Sequence, residues 1–271
     1  MVQEVLAGRM KIYIPTCDRH MFVIKAFSHF FNKYWGDDFE VKILGFSKPD
    51  FELPDNFEFI SMADEQVGGA KGWSNYLIEF FNSIDDENFI FGIDDFCVVR
   101  PFDRELFKEL LKICAKDNKI GRIDLQPSLQ YARSPNDVST YKEFDNFDII
   151  ELNQRSTNQF IYRITGQFSI WNREYFLKYL KPNWSPHDWE LQGGQMAEGD
   201  GHKILGTRNR HCVKKVELVS DGQYPNKINI KGMRKEDIEK VKEIYQDRPE
   251  EIGEFKEEWP FENWIDIVYG N

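Results

Sequence analysis

The stretch that most constrains this chain is Asn88-Phe89-Ile90-Phe91-Gly92-Ile93-Asp94-Asp95-Phe96, an apolar run that ends in two adjacent carboxylates. A run of this length, rich in β-formers and bounded by charge, reads as a central strand covered on both faces. The carboxylates then sit at its carboxyl end, where open α/β sheets bind their ligands. Two neighbouring acids repel each other unless a cation or a proton intervenes, so the pair points to a divalent metal site. Asp85 and Asp86, in the turn before the strand, read instead as solvated turn residues. Asp94 and Asp95 differ because Phe96-Cys97-Val98-Val99 follows them with no room for a solvent turn.

The remainder of the chain alternates in the manner of an α/β protein. Residues 10–15 form an apolar strand that breaks at Pro15 into Thr16-Cys17-Asp18-Arg19-His20, and residues 22–34 carry apolar side chains at helical spacing. Strands are expected at 41–46 and 57–61, and a glycine-rich break at 67–72 leads into a helix over 73–84. After the acids, Asp103 caps a helix to Lys116, and 119–125 is a strand. Residues 126–159 loosen into polar loops, 160–164 and 167–171 are strands around Thr165-Gly166, and a short helix runs to Leu180. Pro182-Asn183-Trp184-Ser185-Pro186-His187-Asp188-Trp189-Glu190 opens a further helix with Ser185 or Asp188 as cap. Strands near Ile204 and at 213–219 precede a charged, helical and finally aromatic tail that ends around Trp259 and Trp264. The expected organisation is one α/β domain over residues 9–222, a Rossmann-like, mostly parallel mixed sheet flanked by helices, with a helical and aromatic extension over 223–271 packed on it.

Composition narrows the function classes. A net charge of −11 argues against a non-specific nucleic-acid surface, which needs clustered cations, so a nucleic-acid partner is not expected, while a local basic pocket stays open. The four cysteines, Cys17, Cys97, Cys114 and Cys212, are widely spaced, which excludes a zinc framework and fits a reducing compartment. The start of the chain lacks the basic head of a signal peptide, and no window reaches the apolar length of a membrane span. The reading is of a cytoplasmic protein without a transmembrane segment. No G-x-x-x-x-G-K-[ST] occurs, which removes P-loop kinases. Thr16-Cys17-Asp18 does not supply the nucleophile setting of haloacid-dehalogenase phosphatases.

Four polar clusters fall where such a sheet presents its strand ends: 16–20, 68–73, Asp94-Asp95 and 187–190. Loops after parallel strands project to one side, so the first and third should be neighbours. The order strand, Thr-Cys-Asp-Arg loop, helix, Gly-Trp-Ser-Asn-Tyr-Leu, strand ending Ile93-Asp94-Asp95-Phe96, then Trp184-Ser185-Pro186-His187-Asp188-Trp189-Glu190 resembles the nucleotide-sugar glycosyltransferases of GT-A fold, most closely the small bacterial and viral enzymes that build surface glycans. The resemblance covers about residues 9 to 222.

It implies a transferase that moves a sugar from a nucleotide-diphosphate sugar donor to a glycan or lipid-linked acceptor. Asp94 and Asp95 match the acid pair that holds Mn²⁺ or Mg²⁺, and the ion would offset the charge of the departing diphosphate. Phe96 stands where that family often has a second acid. Thr16, Asp18 and Arg19 match the nucleoside and diphosphate loop, Trp73 the helix beneath the donor, and Gly166 a turn that lets the donor sugar approach the backbone. His211, with His202 as competitor, matches the late histidine of the metal shell. Asp188 and Glu190 are the candidate bases toward the acceptor hydroxyl, Asp188 being favoured. Two alternatives stay open: a degenerate domain that binds carbohydrate or nucleotide sugar without turnover, for which Phe96 argues, and a nucleotidyltransferase, which also places acids at strand ends.

Overall fold

A computed structural model describes residues 10–127, 129, 137–154, 162–219, 228, 230 and 233–253. The amino-terminal half is built as expected from strand–helix alternation. Strands β1 (Ile12–Pro15), β2 (Val41–Gly45), β3 (Phe57–Ser61) and β4 (Asn88–Phe91) alternate with helices α1 (Val23–Tyr34) and α2 (Trp73–Ser83). Then come β5 (Phe96–Val98), α3 (Arg104–Cys114), β6 (Ile120–Asp124), β7 (Val138–Glu143), β8 (Asp148–Leu152), β9 (Ser169–Asn172), α4 (Arg173–Tyr179), β10 (Lys203–Arg208), β11 (Lys215–Glu217) and α5 (Lys235–Ile244). Between α4 and β10 lies a broken helix made of Pro186–Asp188, a π-helical turn Trp189–Gly193, and Gly194–Met196.

Among the described residues nine strands form one sheet in the order β3-β2-β1-β4-β9-β6-β10-β8-β7. Following the pairings, only β9 and β8 run against the other seven, so the sheet is mixed and mostly parallel, flanked by helices. The strand side chains alternate between two covered faces. Ile12 and Ile14 of β1 pack with α1, α3 and α5, whereas Tyr13 between them packs with α2, α4 and Trp189. Both faces are dry, which is why the strands read as continuous apolar runs.

The sequence and the structure part in three places. Residues 88–96 are not one strand: β4 stops at Phe91, Asp94 and Asp95 occupy a turn, and β5 leaves the main sheet to pair antiparallel with β11. Within the expected loops of 126–159, β7 and β8 form an antiparallel pair at the sheet edge. Ser139, Thr140 and Lys142 of β7 face solvent on that edge, so the strand lacks the apolar alternation that would announce it. Of the strand expected at 160–164, the first two residues lie outside the described ones, and 162–164 are irregular. The junction at 222–223 and the aromatic stretch from Trp259 to Trp264 also lie outside them.

The carboxyl-terminal helix is fastened to the first one. The carboxylate of Asp237, fully buried, accepts from Lys33 Nζ at 2.5 Å and from the Tyr34 hydroxyl at 2.7 Å. The Tyr245 hydroxyl donates to the Phe22 carbonyl at 2.6 Å. No helix among the described residues is long and apolar enough to cross a membrane.

Two features of the core carry measurable consequences. A Cβ on Gly92, just ahead of the acids, would lie 2.5 Å from the ring of Phe168, which is itself wedged against Phe27 and Trp35. Gly92→Ala is therefore expected to cost about 1–3 kcal/mol by overpacking, read as a lower urea midpoint with unchanged slope. His211 is buried in the turn after β10, with Nδ1 2.9 Å from Thr207 Oγ1, and burial followed by the charge of Lys214 pushes its pKa down to about 4. The unfolded chain then binds the extra proton between pH 6.5 and 4, so this residue removes stability as pH falls through that window, up to about 3 kcal/mol. His211→Gln should flatten the acid limb of the stability–pH curve relative to wild type; parallel curves would show that the imidazole is not kept neutral by the fold.

Candidate functional site

The acids sit where the central sheet hands the chain to the β5–β11 ribbon. β1 and β4 are parallel neighbours, so the loop after β1 and the turn after β4 emerge side by side. Thr16 Oγ1 donates to Asp94 Oδ2 at 2.6 Å, and His20 Nδ1 lies 3.6 Å from the same oxygen. The first and third clusters of the sequence are thus joined. Asp95 is anchored through its backbone, whose carbonyl accepts from Leu218 N at 2.5 Å. Its Oδ1 is buried without a hydrogen-bond partner. Burial and then the charge of Asp94 raise the Asp95 pKa well above the carboxylate range, and Lys215 acts in the opposite sense.

The other two clusters meet each other. Ser74 Oγ accepts from Trp184 N at 2.8 Å, and Trp73 packs on Trp189 with ring centroids 5.5 Å apart. Trp189 is fully buried against Phe91, Trp171 and Phe176. Next to it, Glu190 Oε1 accepts from the Thr165 hydroxyl and from Gly166 N–H, both at 2.8 Å. Gly166 in turn lies against Ile93, close enough that a Cβ would meet the Ile93 side chain at 3.0 Å. Glu190 is therefore linked to the acid pair through Gly166 and Ile93.

The other candidate residues have the following partners. Asp188 is a capping residue: its Oδ2 accepts from Ser185 N at 3.0 Å and Ser185 Oγ at 2.7 Å, and its Oδ1 from Gln192 at 3.1 Å. Those hydrogen bonds, that of the Ser185 hydroxyl first, hold its pKa below the usual carboxylate value. His211 faces Thr207 in the core, and the histidine beside the acids is His20. His202 pairs with Asp200 at 3.2 Å and stacks near Tyr175, away from the pair. Asp18 closes the first loop onto the end of β2, accepting from Ser47 N at 2.9 Å and Ser47 Oγ at 2.8 Å. Arg19 is exposed, with its guanidinium 3.3 Å from the His20 ring, and a cleft beside it is lined by Asp18, Phe22, Ser47, Lys48 and Arg248. Trp73 is half-buried as a packing partner of Trp189.

Two charged groups went unnoticed in the sequence. Asp124, at the end of β6, is fully buried. Lys215 of β11 seats its ammonium on the Phe96 ring, and burial lowers its pKa while the charge of Asp95, first among the nearby acids, acts in the opposite sense. No local signal marks either residue, because both come to the site through sheet pairings that are distant in sequence.

For a divalent cation, the pair offers hard carboxylate oxygens, one of them buried and unpartnered, which such an ion would satisfy. Among the described residues no group of three His, Cys, Asp or Glu side chains forms a ready-made cage. The donor set fits an ion that takes one or two carboxylates and completes its shell from phosphate oxygens and water.

No protein-family model matches this chain, and no curated protein matches it. Solved structures similar to it include a mannosyltransferase from Pyrobaculum calidifontis in complex with GDP-Man and Mn²⁺, 11% identical with TM-score 0.44 over 80% of this chain and 59% of that one. A cytidylyltransferase from Leptospira borgpetersenii is 8% identical with TM-score 0.44, covering 92% of this chain and 98% of the other. S. aureus TarS is 12% identical with TM-score 0.47, covering 78% of this chain. The chain spans 59% of the mannosyltransferase and 37% of TarS.

Proposed function

We propose that this chain transfers a sugar from a nucleotide-diphosphate sugar to a hydroxyl of a glycan or lipid-linked acceptor. The observation that carries the reading is the hydrogen bond of Thr16, from the first loop, to Asp94 at the tip of β4, with Glu190 joined to the same turn through Gly166 and Ile93. Asp94 and Asp95 would hold Mn²⁺ or Mg²⁺, which supplies positive charge to the diphosphate as it leaves. Thr16 fixes the Asp94 carboxylate by its hydrogen bond, so the acid need not reorganise when the donor arrives. The cleft beside Asp18, Arg19 and Lys48 is the place for the nucleoside, with the two basic side chains toward its phosphates. Each oxygen of Asp18 accepts one bond from Ser47 and keeps a lone pair for a ribose or base donor.

Glu190 is the base in this reading. Its Oε1 is held by Thr165 and Gly166, and its Oε2 carries no hydrogen bond among the described residues. The acceptor hydroxyl attacks the anomeric carbon and gives its proton to Glu190; the bond from that carbon to the phosphate oxygen breaks, and its electron pair leaves with the nucleoside diphosphate. Gly166 lets the sugar approach the backbone where a side chain would intrude.

The test is turnover of a panel of UDP-, GDP- and ADP-sugars, followed by release of the nucleoside diphosphate. Asp95→Asn is expected to lower turnover at least about a hundredfold with an unchanged melting temperature. Glu190→Gln should lower kcat by about 10²–10⁴-fold with donor affinity unchanged, while Asp188→Asn stays within a few fold. Full activity in Asp95→Asn would sink the transferase reading, and pyrophosphate release from a nucleoside triphosphate and a sugar would replace it with a nucleotidyltransferase.

A further inference from the structure

The carboxyl-terminal segment reaches the cleft beside the first loop. Tyr245, just past α5, donates its hydroxyl to the Phe22 carbonyl at 2.6 Å and accepts from Ala26 N at 3.3 Å, which pins the end of α5 to the start of α1. Shortly after it the chain meets the loop that follows β2, where Arg248 Nη2 donates to Asp50 Oδ2 at 2.9 Å. Arg248 and Glu251 line the cleft that also holds Asp18, Arg19, Ser47 and Lys48. A second cavity, of about 210 Å³, is walled by Phe22, Phe51 and Tyr245. Phe22, Asp50, Arg248 and Glu251 line both, so they stand between a polar cleft and an aromatic one.

The hydrogen-bonding capacity of these residues is only partly filled. Of the five N–H groups of a guanidinium, one of Arg248 donates to Asp50 and one, at 3.5 Å, to Glu251 Oε1. The side chain is half exposed, so its other donors are open to a ligand. Glu251 Oε2 is buried without a hydrogen-bond partner. A buried acceptor without a donor costs free energy until something donates to it. A donor and an acceptor thus stand together at the wall of an aromatic-lined cavity. They complement the edge of a lactam base, uracil or guanine, in which a ring N–H lies beside a carbonyl. In the same pose cytosine and adenine turn a bare ring nitrogen to the carboxylate and an amine to the guanidinium, and both contacts are repulsive.

Resting on the transferase reading above, we propose that the carboxyl-terminal segment completes the donor site: Arg248 donates to the base carbonyl and Glu251 accepts from the ring N–H, so that uracil or guanine is selected over cytosine and adenine. Both are binding residues in this assignment, and Tyr245 positions the segment that carries them.

The experiment is calorimetric titration of the full chain with UDP, GDP, CDP and ADP in Mn²⁺. The wild type is expected to bind UDP or GDP at least about 10-fold more tightly than CDP and ADP, and Arg248→Met and Glu251→Ala each to bring the four affinities within about threefold of one another. Arg248→Lys, which keeps a donor, should hold part of the preference. Arg248→Met is expected to leave the melting temperature unchanged, since its pair with Asp50 lies at the surface. A phosphate contact or a merely structural role would weaken all four diphosphates alike and leave their ratio as it was. That result overturns the proposal, as does a wild type that shows no base preference or prefers CDP or ADP, and in each case the transferase reading stands. Failure of every diphosphate to bind overturns both.

Discussion

Like charge withdrawn from water is the constraint on which the rest of this structure depends. Asp94 is buried, and Asp95 has an oxygen with neither solvent nor a hydrogen bond. Such a pair persists only where the fold supplies compensation at fixed positions. Two elements supply it here: the loop after β1 with Thr16 and His20, and the β11 strand with Lys215, whose ribbon Leu218 N ties to the Asp95 backbone carbonyl. The parallel pairing of β1 with β4 brings in the first, and the departure of β5 from the main sheet brings in the second. The break after Phe91 is thus what makes room for a site at the strand tip.

Packing enforces that break. Gly92 must lie against the Phe168 ring, which is stacked among Phe27 and Trp35, so the chain is directed past the aromatic cluster before the acids appear. The same cluster belongs to the face that α5 closes through Asp237 and Tyr245 on α1. Stability of the helix layer and placement of the acids consequently share one set of contacts. Variants deep in this layer should move the site as well as the melting temperature, since dense interiors transmit strain instead of absorbing it.

What could be read in the sequence follows from how local each signal is. The strand and helix periods of the first 124 residues were legible because β1, β2 and β4 are buried on both faces and α1 and α3 carry strong apolar stripes. The neighbourhood of Thr16 and Asp94 followed from parallel pairing alone. The role of Asp188 was also legible, in that Ser185-Pro186-His187-Asp188 is a capping-box spacing, yet its density of functional residue types invited a chemical role. Which way His211 faces was not legible, because a histidine next to a strand carries no mark of it; its ring is turned inward to Thr207. Lys215 and Asp124 required the sheet order, which no single stretch of sequence contains.

The direction of Glu190 and the packing of the core are fixed by one structural decision. Successive side chains on a helix diverge by about 100°. With Trp189 driven into the cluster of Phe91, Trp171 and Phe176, Glu190 is turned toward Thr165 and Gly166. The π-helical turn at Trp189–Gly193 widens the helix at this point, a local departure that natural proteins keep mainly where a side chain must be aimed. Gly166 completes the arrangement, since its missing Cβ lets the turn rest on Ile93, one residue before the acids. Trp189 therefore sets the direction of Glu190, and repacking around Trp189 shifts the distance between Glu190 and the acid pair.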